Sequence, residues 1–440
     1  MTTLKLIDTA RSERKERVLL IGVEYPYQNR WEVQDHLDEL KLLAETAKAE
    51  VVDQLVVKRT KTTPAHYIGK GKVEELGEIM SERDIDTLIF DDDLTAVQQR
   101  NIERIVDHKA IDRTELILDI FAQRAGTREA KLQIELAQLK YLSTRLTRMW
   151  THLSKQFGGI GTKGPGETQL EVDRRKLRER IHTLVREIKV VRKSRAAQRK
   201  SRKRNNFYTA VLVGYTNAGK STLINALSGT HVHVSRKLFS TLDPTTRKIS
   251  LSGKHRLLVS DTVGFIRKLP HNLVESFMAT LEEVLEADML IHVLDVSDPQ
   301  MEIRAEAVYN VLEEIGCHDK AIITALNKID KLDGEPAIER YTRTYPRCVF
   351  ISAKNGEGFE GLLHEIEAVF HEDFSTYTLC IPQKDSRSIS TLHREGNVLR
   401  KAYADNRVLL EAELSSRLAA KLTRYIQTFT REEVELLSQS

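Results

Sequence analysis

The chain has 440 residues, 40% of them apolar, and 68 Lys and Arg against 64 Asp and Glu give a net charge of +4. That length suits roughly three domains of ~150 residues, and the apolar share is that of core-forming protein, so disordered and fibrous classes are excluded. No run approaches the ~18 consecutive apolar residues of a membrane span.

The first seventeen residues, MTTLKLIDTARSERKER, carry charges where a signal peptide has its apolar region, so the protein is expected to stay in the cytoplasm. The three cysteines, Cys317, Cys348 and Cys380, are odd in number and dispersed, which argues against a disulfide framework or a zinc site and fits a reducing compartment.

Residues 1–112 are expected to form a small parallel α/β domain. Short apolar runs (VLLIGV, VVDQLVV, TLIFDD) alternate with helix-like stretches such as WEVQDHLDELKLLAETA and KVEELGEIMSERD, the rhythm of βαβ units. The fragment IGKGK, Ile68 to Lys72, lacks the spacing of a phosphate-binding loop and reads as a glycine-bearing turn.

Residues 113–205 read as a long antiparallel helical hairpin. Leu132, Leu136, Leu139, Leu142, Leu146, Met149 and Leu153 recur at steps of three and four, and Leu177, Ile181, Leu184, Ile188 and Val191 repeat the pattern, so the two stripes can face each other. Between them Gly158, Gly159, Gly161, Gly164, Pro165 and Gly166 break any helix. The resulting tip is too long for a mere reversal, and with Lys163 it reads as a loop that probes a partner. Residues 172–204 hold fifteen Lys or Arg against three Asp or Glu, net +12, which leaves −8 for the rest of the chain. That density favours a polyanion, of which nucleic acid is the commonest, with Arg174, Arg175 and Arg178, and Arg180 beside them, as expected phosphate contacts.

Residues 206–372 carry the chemistry. The strand-like YTAVLV runs into GYTNAGKS and then into a helix-like segment, the order of strand, GxxxxGK[ST] and helix. In such a loop Gly214, Tyr215, Thr216, Asn217, Ala218 and Gly219 wrap phosphate with backbone N–H groups. Lys220 bridges the β- and γ-phosphates, Ser221 can ligate Mg²⁺, and Thr222 follows in the helix. In DTVG, Asp261 stands at a strand end toward Mg²⁺, and Gly264, after Thr262 and Val263, can offer its N–H to the γ-phosphate. Phe265 follows, where many GTPases carry the glutamine that orients water. In NKID, Asn327 braces the loop, Lys328 and Ile329 lie between, and the Asp330 carboxylate can accept from guanine N1–H and N2–H₂. Adenine would leave that acid unpaired, so the base is guanine. In SAK, the Ala353 N–H, between Ser352 and Lys354, is expected on guanine O6. Thr241, Thr245 and Thr246 are all candidates for the switch threonine. Residues 373–440 read as a small β-α-β-β-α unit, a C-terminal α+β domain that binds a partner.

The stretches FSTLDPTTR (239–247), IDRTELILDIFAQRA (111–125) and GGIGTKGPGETQLEVDRR (158–175), together with the GTPase motifs, resemble the HflX family, in the Obg-HflX group of translation-factor-related GTPases. The resemblance covers nearly the whole chain. It implies that Thr241, in a nucleotide-contacting segment Phe239, Ser240, Thr241, Leu242 and Asp243, closes on Mg²⁺ and γ-phosphate, with Lys220, Thr241 and Gly264 as the catalytic set and Ser221 and Thr241 as metal ligands. It implies a hydrophobic residue in place of the catalytic glutamine, and K⁺ as a candidate cofactor at Asn217. It also implies binding to the large ribosomal subunit and rRNA, with splitting of stalled or stress-damaged ribosomes, by a monomer. ATP is a candidate ligand of the N-terminal domain by the same resemblance, although no motif in residues 1–112 supports it. Two rivals stand beside a ribosome-splitting GTPase: an assembly or anti-association factor gated by GTP, and an ATP-dependent RNA remodeller.

Overall fold

The computed structural model describes residues 14–149, 165–204, 208–229, 238–239, 245–251, 256–268, 282–317, 320–332, 334, 338–372, 374–404 and 406–427. In the N-terminal domain, β1 (Arg17–Glu24), β2 (Glu50–Lys58), β3 (Thr87–Phe90) and β4 (Lys109–Asp112) form a parallel sheet in the order β2-β1-β3-β4. Parallel neighbours need crossovers, which α1 (Arg30–Thr46), α2 (Lys70–Arg83) and α3 (Ala96–Val106) supply. Strand β1 is covered on both faces: Val18 and Leu20 pack toward α1, Leu19 and Ile21 toward α2 and α3. Its apolar run is therefore continuous instead of alternating. Capping boxes start α1 (Asn29 with Glu32) and α3 (Thr95 with Gln98), satisfying amides that the first helical turn leaves open.

Helix α4 (Arg113–Arg124) follows β4 directly, with the Asp112 carboxylate accepting the Glu115 N–H at 2.8 Å as its cap. Its Leu116, Ile117, Ile120 and Phe121 are buried with Leu37, Leu40 and Leu43 of α1. The same cluster takes in Ile134, Ala137 and Tyr141 of the hairpin helix that follows, so α4 joins the sheet domain to the hairpin. A helical period shows that a face is apolar and not which neighbour covers it.

Helices α5 (Arg128–Met149) and α6 (Pro165–Arg204) form the hairpin. Leu132, Leu184 and Ile188 are buried between them, with Leu136, Leu139 and Val191 packed alongside, so the two leucine stripes do meet. Arg180 grips Glu135 with two hydrogen bonds of 2.7 and 2.8 Å, which makes it a strut of the hairpin. The tip, with Gly158, Gly159, Gly161, Lys163 and Gly164, lies outside the described residues, and Gly166 falls in the first turn of α6.

The third unit is a six-stranded sheet, β10-β9-β8-β5-β7-β6, parallel except for the edge strand β6. Its members are β5 (Tyr208–Val213), β6 (Thr245–Ser250), β7 (Arg256–Asp261), β8 (Met289–Asp295), β9 (Ala321–Asn327) and β10 (Cys348–Ile351). With α7 (Lys220–Leu227) after β5, the loop Gly214–Gly219 lies between a central strand and a helix, the order of a phosphate-binding loop (P-loop). The last unit runs β11 (Phe374–Pro382), helix Ser386–Glu395, β12 (Asn397–Ala404), β13 (Arg407–Ser415) and helix Ser416–Leu422. That is the β-α-β-β-α order read from the sequence. Its antiparallel sheet has the strand order β11-β13-β12.

Candidate active site

The phosphate-binding loop leaves the carboxyl end of β5, the central strand. Two of its glycines are dictated by space: a Cβ on Gly214 would stand 2.4 Å from the Val293 carbonyl oxygen, and one on Gly219 2.2 Å from Asn327 Nδ2. Both have positive φ, as does the exposed Asn217, a conformation side chains resist. Lys220 starts α7 and folds back so that its ammonium donates to the carbonyl oxygens of Gly214 (2.9 Å) and Tyr215 (2.8 Å). Burial lowers its pKa to about 8, against the pull of Asp261. The Ser221 hydroxyl donates to Asp261 at 2.6 Å, a pair of hard oxygen donors that suits Mg²⁺.

The segment after β7 lies directly on this loop. A Cβ on Gly264 would meet Lys220 Nζ and Thr216 Cα, each at 2.9 Å. Phe265 donates its N–H to Gly214 O (3.1 Å), and its carbonyl accepts from Thr216 N–H (2.8 Å). Thr262 turns inward and donates to Leu212 O at 2.7 Å, while Val263 packs against the N-terminal core. Phe265 is 6% exposed, buried among Val211, Val213, Tyr215 and Leu290. The ring that replaces glutamine is thus a core residue that anchors the segment and does not face the phosphate position.

The base motifs converge from three loops. Asn327, at the end of β9, donates Nδ2–H to Ala218 O (2.8 Å) and accepts the Ala353 N–H (2.9 Å), which staples the phosphate loop to the SAK turn. The Ala353 amide, expected on guanine O6, is engaged there by Asn327. Asp330 is exposed and accepts from Ser352 at 2.7 Å through Oδ1, which fixes one oxygen of the carboxylate. Lys328 has φ +69° and pairs with Asp295 at 2.5 Å. Ser240, Thr241, Leu242 and Asp243 lie outside the described residues. Phe239 is buried edge-on against Phe121 of α4 at 4.5 Å, and its carbonyl accepts from Arg124 at 2.9 Å, so its side chain belongs to the N-terminal core. Arg175 and Arg178 are exposed on α6, and Arg174 is half-buried.

Sequence reasoning missed the clamp that ties this site to the N-terminal domain. The Tyr215 hydroxyl donates to Glu39 of α1 at 2.7 Å and accepts the Arg267 N–H at 2.8 Å. Arg267 pairs with Asp35 (2.8 Å) and Glu39 (3.3 Å), and Lys268 with Asp91 (2.7 Å) and Asp92 (2.6 Å). Beneath them the buried Arg113 joins Glu39 (3.2 Å) to Asp91 (2.7 Å) and reaches the Arg267 carbonyl at 3.3 Å. Burial works against every charge here. Even so Glu39 and Asp91 keep Arg113 raised, Asp91 and Asp92 keep Lys268 raised, and Arg113 and Lys268 hold the Asp91 carboxyl below its ordinary value. The only sequence signals were the acidic triplet Asp91–Asp93 and the basic pair Arg267–Lys268, and nothing in the sequence says that they meet.

Three family models match the chain: a GTP-binding GTPase N-terminal region over residues 34–122, a GTP-binding GTPase middle region over 124–202 and a 50S ribosome-binding GTPase over 209–328. Curated relatives named GTPase HflX include that of Lacrimispora saccharolytica, 42% identical over 95% of this chain and 98% of its own length. That of Escherichia coli K12 is 42% identical over 87% and 90%. Among solved structures, a GTP-binding protein from the archaeon Sulfolobus solfataricus in complex with GDP is 26% identical, covers 81% of this chain and 99% of its own, and has a TM-score of 0.45. With identity at that level over nearly its whole length, and with the loop, switch and base motifs of a GTP-hydrolysing enzyme in place, the chain belongs to the HflX GTPase family.

Proposed function

We propose that this GTPase binds the large ribosomal subunit through rRNA and uses its GTP cycle to split stalled or stress-damaged ribosomes in the cytoplasm. The observation that carries the reading is mechanical continuity. The switch segment Gly264–Lys268 is bonded to α1 and to the end of β3, and the hairpin springs from the same domain and carries the basic helix α6. A displacement at the γ-phosphate would be passed through packed elements to an RNA-binding rod. The name of the matched family, 50S ribosome-binding GTPase, agrees with this reading.

In the hydrolytic step Lys220 would draw charge from the β- and γ-phosphates, Gly264 would give its N–H to the γ-phosphate, and Asp330 would select guanine. Mg²⁺, held by Ser221 and Thr241, would neutralise charge that develops on the phosphate oxygens. Phe265 neither donates to nor accepts from water, so turnover would stay slow until ribosomal contact orders the site. K⁺ held at Asn217 would add a further positive charge to those of Lys220 and Mg²⁺.

Density-gradient sedimentation of joined ribosomes with the protein and GTP, GDP or ATP tests the proposal. Subunit dissociation with GTP is expected. Binding without dissociation would favour a GTP-gated assembly factor, and RNA unwinding that needs ATP would favour a remodeller.

A further inference from the structure

In open parallel sheets, ligands settle outside the carboxyl ends of the strands, where the strand order reverses. Here the chain passes from β1 to β2 on one side and then to β3 on the other. On the β3 side that edge is closed, because Asp91 and Asp92 hold Lys268. The β1 and β2 side is different. A series of rings climbs from the core to the surface there: Phe90 meets Tyr67 edge-on at 6.2 Å, and the Tyr67 and Tyr25 hydroxyls bond at 3.1 Å. Tyr25 then stacks on Tyr27 at 5.4 Å, with ring planes 2° apart. Tyr27 is 79% exposed, and Trp31, in the first turn of α1, is 53% exposed.

The charges around these rings divide into two groups. Lys58, Lys70 and Lys72 pair with Glu24, Glu74 and Glu75. Arg30, Arg59 and Lys61 make no hydrogen bond or ion pair through their side chains with any described residue. Arg59 is held in place all the same: its Nε is buried without a partner, and its guanidinium lies 3.1 Å from where a side chain on Gly69 would begin. Gly69, with φ +88°, therefore leaves space for a cation that no acid neutralises. This glycine belongs to the IGKGK turn.

We propose that this uncovered half of the sheet edge is a platform for single-stranded RNA, with Tyr27 and Trp31 stacking on bases and Arg30, Arg59 and Lys61 meeting phosphates. Rigid aromatic planes with an open face, set among unpaired cations, recognise any base by its π-face and the backbone by its charge. The exposed rings Tyr27 and Trp31 are flanked by the uncompensated Arg30, Arg59 and Lys61, a mixture that suits a polyanion better than the apolar face of a protein helix. Tyr27 and Trp31 belong to the loop after β1 and to α1, not to α6, so the protein would hold RNA through two elements.

The test uses the full chain with Arg175→Ser and Arg178→Ser, which weaken the contribution of α6, and a fluorescein-labelled twelve-nucleotide oligouridylate followed by anisotropy. Tyr27→Ala and Trp31→Ala should each weaken binding by about 5- to 150-fold, whereas Tyr27→Phe keeps it. Arg59→Ser should reduce the salt slope by about 0.7 log unit. Because the chain has two tryptophans, Trp150→Phe leaves Trp31 as the sole reporter, and saturating RNA should quench its fluorescence. Unchanged GTP turnover in Tyr27→Ala shows that the variant is folded. Affinity indifferent to both rings, or unquenched Trp31 at saturation, would overturn the proposal and leave the face to a protein partner. Full displacement of the oligomer by millimolar ATP would also overturn it, assigning the rings to a free nucleotide.

Discussion

The Tyr215 hydroxyl joins three parts of the molecule: the phosphate loop, helix α1 and the segment after β7. Tyr215→Phe removes its 2.7 Å bond to the Glu39 carboxylate and the acceptor of the Arg267 N–H at 2.8 Å. A bond to a charged partner contributes about 1.5–3 kcal/mol, and a buried donor left unsatisfied costs about 1–3 kcal/mol. Some of that is recovered, because Glu39 keeps Arg113 and Arg267, so a net loss of about 2–4 kcal/mol is expected. Glu39→Gln keeps an oxygen for Tyr215 but removes the charge that faces two cations, a loss of about 2–3 kcal/mol by the same reasoning. Both substitutions act on one bond, so the double variant should fall short of the sum by about 0.5–3 kcal/mol. The assay is amide hydrogen exchange of the segment 262–268 in the nucleotide-free full chain, where a loss of about 2–4 kcal/mol means exchange faster by roughly 30- to 1,000-fold. Exchange unchanged in Tyr215→Phe, or single-variant effects that add within about 0.3 kcal/mol, would refute the coupling.

Four further outcomes are expected. Asp330→Asn should shift the preference from GTP toward xanthosine triphosphate, and equal GTP affinity in titrations of parent and variant would exclude Asp330 as the reader of the base. Phe265→Gln should cost about 3–5 kcal/mol of stability through lost packing and a buried amide and so lower the Tm, without raising turnover; faster hydrolysis at unchanged stability would show that the ring does not belong to the core. Lys220, with its pKa lowered to about 8 by burial, is a cation below that pH and neutral above it, so GTP affinity measured by calorimetry should fall about tenfold at one pH unit above. His292, fully buried with neither ring nitrogen bonded and its pKa lowered by burial to about 3 from 6.5, is neutral in the fold. Its contribution is present above pH 6.5 and lost as pH falls toward 3, at about 1.4 kcal/mol per unit; urea unfolding at pH 5 and 7 should show this, and His292→Phe should lessen it.

The nucleotide motifs were legible because chemistry fixes both their residues and their spacing: Gly219 has no room for a Cβ beside Asn327, and no other residue could stand there. The leucine stripes of α5 and α6 and the order of the C-terminal elements were legible for a related reason, since each is written locally in periodicity and turn residues. The clamp was not. Arg267 and Glu39 are 228 positions apart, and a charge on one helix face carries no mark of its partner. Phe265 shows a middle case. The missing glutamine was visible, but the ring's role needed the neighbours that bury it. Arg180 looked like one more phosphate contact until Glu135 was found beside it.

Leu238, Phe239 and Ile266 share one apolar cluster with Leu37, Leu40, Phe121 and Tyr141. The segments around Phe239 and Ile266 are thus interior walls of another domain, so any motion that withdraws them must wet that interior. A truncation that removes residues 1–124 to isolate the enzyme would also expose those walls, and the activity it reports would be that of an injured molecule. Drift in the packing of α1 or α4, far from any phosphate, would likewise be inherited as a change in nucleotide handling.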